Sequence, residues 1–176
     1  MKQTLVVLVE DKPGVLNRVS SLFRRRNFNI ESLTVGHSQM EGVSRMSIVT
    51  DEEENLRRKI VESNLVKMVN VIEVDDVTDK PSVQRELALV KVNANSTNRG
   101  TIIDTAEKYR GRVVDVGTET MIIEMTGESD RIDALMNALD TFGIVELSRT
   151  GVMVMTRGEV IPRTSKLKSQ QNGAGH

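Results

Sequence analysis

Apolar and polar positions along the chain change their period repeatedly, and each change marks an element. Leu5 to Val9 is an unbroken apolar run, which predicts a strand buried on both faces. From Gly14 onward Leu16, Val19, Leu22 and Phe23 recur at helical spacing, with Arg18, Arg24, Arg25 and Arg26 mostly off that stripe. Asn27 breaks the helix, and a second strand is expected through Val35. Gly36 to Gly42 is polar and bounded by glycines, as a hairpin loop should be, and it contains His37. Val43 to Thr50 alternates, with Met46 and Ile48 on one face and Arg45 and Ser47 on the other. Asp51 to Glu54 reads as an acidic helix start, followed by an inward stripe of Leu56, Ile60 and Leu65. A fourth strand from Val69 to Val74 closes the order β-α-β-β-α-β.

After a short stretch containing Pro81 the same order returns. Glu86 to Ala94 predicts a strand, Asn95 to Gly100 a loop, and Ile102, Ile103, Ala106 and Tyr109 a helix. Arg112–Val116 and Thr120–Met125 predict a hairpin across Gly117 and Thr118. Ile132, Leu135, Met136 and Leu139 mark the second helix, with strands at Ile144–Leu147 and Gly151–Met155. The expected fold class is α+β, two ferredoxin-like units in tandem. The expected boundaries are a first domain at 1–77, a linker at 78–83 and a second domain at 84–160. The Lys-, Ser-, Gln- and Gly-rich tail at 161–176 is expected to be disordered. Units of roughly 70 residues have marginal cores, so dimerisation is expected on physical grounds.

Composition narrows the function. The chain has 28% charged residues and a net charge of −1, so no global field draws it to nucleic acid or a membrane surface. It has no cysteine, which removes disulfides and thiolate chemistry, and only two histidines, His37 and His176, far apart. Aromatics are limited to Phe23, Phe28, Tyr109 and Phe142, too few for base-stacking platforms. No apolar run approaches the roughly 20 residues of a membrane span. Met1 to Leu5 leads straight into a strand, unlike a signal or transit segment, so a cytoplasmic location is expected.

No nucleophile with its base stands out, and no Gly-rich phosphate loop of the dinucleotide or Walker type is present. Asn95 to Arg99 only loosely matches the anion loop of acylphosphatases, which share this topology. Arg24, Arg25 and Arg26 admit two readings, a phosphate patch or a solvated last helical turn that complements the dipole. Asp51 to Glu54 likewise admits a metal role or dipole complementation.

The turn from Glu10 to Gly14 carries the most specific local chemistry. Pro13 suits a turn or a first helical position, and Gly14 tolerates backbone conformations that other residues resist. The helix N-terminus beyond them attracts a small anion such as a carboxylate, with Asp11 placed to receive a cation. An α-amino acid carries both charges. The alternative is that Asp11 caps the helix and Pro-Gly only makes the turn. The repeated unit lacks this turn.

The stretch Glu10-Asp11-Lys12-Pro13-Gly14-Val15-Leu16, a helix, and then Asn27-Phe28-Asn29-Ile30-Glu31-Ser32-Leu33-Thr34-Val35 resembles an ACT domain. More narrowly, it is similar to the small regulatory subunit of acetolactate synthase (acetohydroxyacid synthase). Ser44–Ile48, Val83–Val92, Tyr109–Val116, Arg149–Val152 and Thr156–Gly158 extend the resemblance over residues 2–160. The resemblance implies a protein without catalysis of its own, which activates a thiamine-diphosphate-dependent large subunit and makes it sensitive to valine. Thiamine diphosphate, Mg and FAD are expected on the large subunit only, and no cofactor on this chain. It implies a homodimer through the ACT domains, with valine at the interface. The Gly14 and Val15 N–H groups would hold the valine carboxylate and Asp11 and Asn29 its ammonium. Leu16 and Ile30, with Val35 contributed by the partner chain, would enclose the side chain. A free-standing amino-acid-sensing ACT module acting on a different enzyme is the alternative.

Overall fold

The computed structural model describes residues 2–158, so the expected disordered tail lies outside the described residues. Within the first repeat the elements are β1 (Gln3–Glu10), α1 (Val15–Arg25), β2 (Ile30–His37), β3 (Val43–Thr50), α2 (Asn55–Val66) and β4 (Val71–Asp76). The second repeat runs β5 (Ser82–Asn93), α3 (Arg99–Lys108), β6 (Arg112–Val116), β7 (Thr120–Gly127), α4 (Ser129–Leu139), β8 (Ile144–Arg149) and β9 (Met153–Thr156). The sheets order as β2-β3-β1-β4 and β6-β7-β5-β8, the same permutation twice, with β9 joined to β5 off that path. Each is a ferredoxin-like unit. Contacts divide the chain into a unit running to Val83 together with the segment from Val154, and a unit of Gln84–Met153. Ser82 and Val83, read from the sequence as linker, already belong to β5.

In the first unit Leu5, Val7 and Val9 of β1 and Met46 and Ile48 of β3 form one core with Val15, Val19 and Phe23 of α1. Val61 and Leu65 of α2 close it. The expected stripes hold in part: Val19, Phe23 and Leu65 are buried and Leu22 packs on the core. Leu16 is 44% exposed, because the buried face of α1 runs Val15, Val19, Phe23. On α2, Leu56 (71% exposed) and Ile60 face outward, and Arg58 takes the inward position beside Val61 and Leu65. Arg58 Nε donates to the Glu52 carbonyl (3.1 Å), and the Arg58 carbonyl accepts from Gln3 Nε2 (3.1 Å). A buried guanidinium with an aliphatic stem fills space that apolar periodicity assigns to leucine.

Helix α1 ends in a Schellman arrangement. Asn27 takes a left-handed φ of 54°, Phe28 N–H reaches back to the Phe23 carbonyl (3.0 Å), and Asn27 N–H reaches Arg24 (3.2 Å). Three strand boundaries also differ from expectation. β2 runs on to His37, so that residue is not in the loop, β5 starts at Ser82, and β4 begins at Val71, leaving Val69 94% exposed in the preceding turn. In the second unit, Ile102 and Ala106 of α3 and the whole predicted stripe of α4 are buried against β5 and β7, while Ile103 faces outward. Among the described residues, no helix is long and apolar enough to cross a membrane.

Candidate functional site

At the end of β1 the chain turns away from the sheet. Asp11 N–H donates to the Gly42 carbonyl (2.8 Å) and Lys12 N–H to Glu10 (3.0 Å). Gly14 then adopts φ 82°, ψ −5°, the left-handed conformation that its missing Cβ permits, and α1 begins. No side chain caps α1, and its first turn holds no acidic residue. Val15 N–H makes only a long 3.3 Å contact with the Lys12 carbonyl. The positive end of this helix is therefore open.

Asp11 does not cap the helix. Its carboxylate instead lies 3.4 Å from His37 Nδ1 and stays half exposed. Glu10, the other acid of the turn, is occupied elsewhere. Its carboxylate accepts from Asn70 Nδ2 (2.6 Å) and pairs with Lys12 (3.3 Å), and the Asn70 bond, then Lys12, hold its pKa below the ordinary value. Asn70 also accepts from Arg18 through its Oδ1, so one amide ties the end of β1 to α1. The turn thus presents one carboxylate and one uncapped helix end.

The fold does not bring all the predicted site residues together in one chain. Asp11 follows Glu10, which stands opposite Val43, and Val43 neighbours the His37–Ser44 pair. Val35, on β2 and 43% exposed, lies in mid-sheet, opposite Met46 of β3, which in turn faces Val7 of β1. Asn29 and Ile30 stand at the other end of the sheet, where Ile30 and Gln3 both face Thr50. Seven residues of strand separate Gln3 from Glu10, about 23 Å at the usual rise. Asn29 is exposed there, with its amide 3.4 Å from Asp51. The resemblance groups Asn29 and Ile30 with Asp11 and takes Val35 from the partner; within one chain the register separates the first pair from Asp11 and leaves Val35 between the two ends.

β2 is an edge strand of the first sheet. Antiparallel pairing of two such edges sets the start of one β2 beside the end of the other.

The second repeat is an internal control. In its corresponding loop Asn95 Oδ1 accepts from the N–H groups of Thr97 (2.9 Å) and Asn98 (3.0 Å). Asn98 Oδ1 accepts from Asn95 N–H (2.7 Å). α3 itself has no side-chain cap either, so what the second repeat lacks is the carboxylate in the turn. Arg99, the candidate for an acylphosphatase-like cradle, donates to the Gly117 (2.5 Å) and Thr118 (2.8 Å) carbonyls. The acidic run before α2 resolves similarly: Glu52 holds Arg57 in a fork of 2.5 and 2.7 Å, with Arg57 stacked 5.1 Å from the Phe28 ring. Among the described residues, no group of three acidic or histidine ligands is placed to hold a metal. Sequence reasoning missed His37 as a neighbour of Asp11 and Asn70 as the tie for Glu10, since both depend on strand register.

Two family models match the chain. One, described as "AHAS small subunit-like ACT domain", covers residues 5–73; the other, "Small subunit of acetolactate synthase", covers 85–158. The acetolactate synthase small subunit of Mycolicibacterium smegmatis is 48% identical over 155 residues, 88% of this chain and 91% of that protein. The probable acetolactate synthase small subunit of Archaeoglobus fulgidus is 45% identical over 158 residues, 90% of this chain and 98% of that protein. The crystal structure of the acetolactate synthase small subunit from Thermotoga maritima superposes with a TM-score of 0.82 at 35% identity, covering 91% of this chain and 99% of that one.

Proposed function

The chain belongs to the family of acetolactate synthase small subunits, and we propose that it activates a thiamine-diphosphate-dependent catalytic large subunit and makes it subject to feedback inhibition by valine. The carrying observation is the pairing, in one turn, of an uncapped α1 N-terminus with a carboxylate not spent on that helix. Together they complement the two charges of an α-amino acid, each of which must be satisfied when the ligand leaves water. The chain itself supplies regulation, and the thiamine diphosphate, Mg and FAD belong to the large subunit.

The effector site is shared by two copies. One contributes Asp11 for the ammonium, the N–H groups of Gly14 and Val15 for the carboxylate, and the exposed apolar surface of Leu16 and Val35. The other contributes Asn29 and Ile30. The exposure of Leu16 and Val35 supports this reading, because an isopropyl group then covers apolar surface that the isolated chain leaves in water.

Calorimetry with valine, alongside activity of the reconstituted enzyme, tests the assignment. Asp11→Ala and Asn29→Ala each abolish valine binding and valine inhibition while activation of the large subunit persists. Gly14→Asp has the same outcome, since it adds a negative charge where the carboxylate must sit. Undiminished valine binding in Asp11→Ala and Asn29→Ala would overturn the site.

A further inference from the structure

Helices α1 and α2 enclose a groove of about 600 Å³ in the first unit. Arg18, Arg25, Arg26 and Lys67 line it, and no acidic residue does. The imbalance starts in the sequence of α1, which carries no Asp or Glu although the whole chain has a net charge of −1. Elsewhere in the structure five arginines, Arg57, Arg58, Arg85, Arg112 and Arg149, stand within ion-pair distance of carboxylates. The groove arginines are held differently. Arg18 donates to Asn70 Oδ1 and Arg26 to Asn64 Oδ1 (3.4 Å), so neutral amides orient these guanidiniums without cancelling their charge. Between the cations lie apolar atoms of Leu22 and Val69, the latter 94% exposed.

We propose that this groove docks an acidic segment of the catalytic large subunit. The proposal rests on the reading above that such a partner exists, and it assigns the contact surface. Several uncancelled cations, three along α1 and its end and one just past α2, call for several carboxylates at matching intervals. A free small anion would leave Leu22 and Val69 in water, whereas a peptide carrying both acidic and apolar side chains covers them. Nucleic acid would find the charge but no aromatic platform for its bases. Arginine is suited to this task because its fork binds carboxylates in two-point geometry and it is more weakly hydrated than lysine. The groove shares no residue with the proposed effector site, so docking and valine binding can be altered separately.

The experiment titrates the full chain into its cognate large subunit, reading association by sedimentation and function by activation, at roughly 50 and 300 mM salt. The wild-type affinity falls with salt. Arg25→Glu combined with Lys67→Glu weakens association by about tenfold or more at low salt, mainly through a slower on-rate. Valine calorimetry is unchanged in the same variant. Arg25→Gln with Lys67→Gln gives an intermediate loss, which guards against misfolding of the reversal variant. Lys108→Glu with Arg131→Glu, the same change of net charge on the second unit, retains wild-type association. Wild-type affinity in the groove variants, or an equal loss in the second-unit control, overturns the docking surface. Failure of the wild-type chain itself to associate overturns the proposed function, and the docking surface with it.

Discussion

Two residues hold left-handed backbone at opposite ends of α1, and they test different things. Gly14 at φ 82° has nothing within 4 Å of where a Cβ would stand. Gly14→Ala therefore meets no neighbour, but its Cβ strains the left-handed backbone and costs about 1–2 kcal/mol by urea unfolding. Because the N–H groups stay in place, valine affinity in Gly14→Ala changes far less than in Gly14→Asp. Asn27 closes the helix with φ 54°. Asn27→Gly is neutral or slightly stabilising, and Asn27→Ala costs about 1 kcal/mol. Both turns were legible in the sequence, since Pro-Gly before a helical stripe and Asn after three arginines are local signals. The facing of Asp11 and His37 was not legible. It depends on β2 and β1 flanking β3 in one particular register, information that no short window of sequence contains.

The helices show where periodicity succeeds and where it misleads. The whole predicted stripe of α4 is buried, because all four positions are apolar and no charged side chain competes for the inward face. On α2 only Leu65 of the expected stripe is buried, because Arg58 takes the inward face, with its backbone and guanidinium tied to Gln3 and Glu52. The difference is measurable. Leu65→Ala is expected to cost roughly 2–4 kcal/mol in unfolding free energy, as a fully buried leucine does, and Leu56→Ala less than about 0.5 kcal/mol. Equal costs would mean that α2 is seated on the face its apolar residues suggest. The start of α2 adds a pH dependence. The hydrogen bonds from Arg57 hold the Glu52 pKa below its ordinary 4.5. A carboxyl with a depressed folded-state pKa contributes stability above its unfolded pKa and loses it as pH falls through the folded value. Glu52→Gln is therefore less stable than wild type at pH 7, by roughly 1 kcal/mol for a partly buried fork. The gap between their melting curves closes below about pH 4.

At the scale of the molecule, the same strand permutation is used twice, but only the first copy carries a carboxylate in the turn before its first, uncapped helix. The repeat was visible in the sequence because both copies keep the same order of apolar periods. Which residues each copy would supply was not, because Asp11 and Asn29 lie close in the sequence and at opposite ends of a sheet in the fold. That separation turns the proposed site into a device linking effector and assembly. If valine bridges the Asp11 turn of one copy and Asn29 of another, its binding and the association of the two copies share one free energy, and each must strengthen the other equally. Sedimentation equilibrium then shows a dimer whose dissociation constant falls as valine is added, and calorimetry shows valine affinity rising with protein concentration. Val35→Asp places a charge on the edge strand through which the proposed site would join two copies, so it is expected to shift the chain toward monomer and weaken valine binding together. Its circular dichroism stays that of the wild type, because Val35 is outside the buried core. A monomeric Val35→Asp chain that binds valine with undiminished affinity would place the whole effector site within one copy, and the register of β2 argues against that outcome.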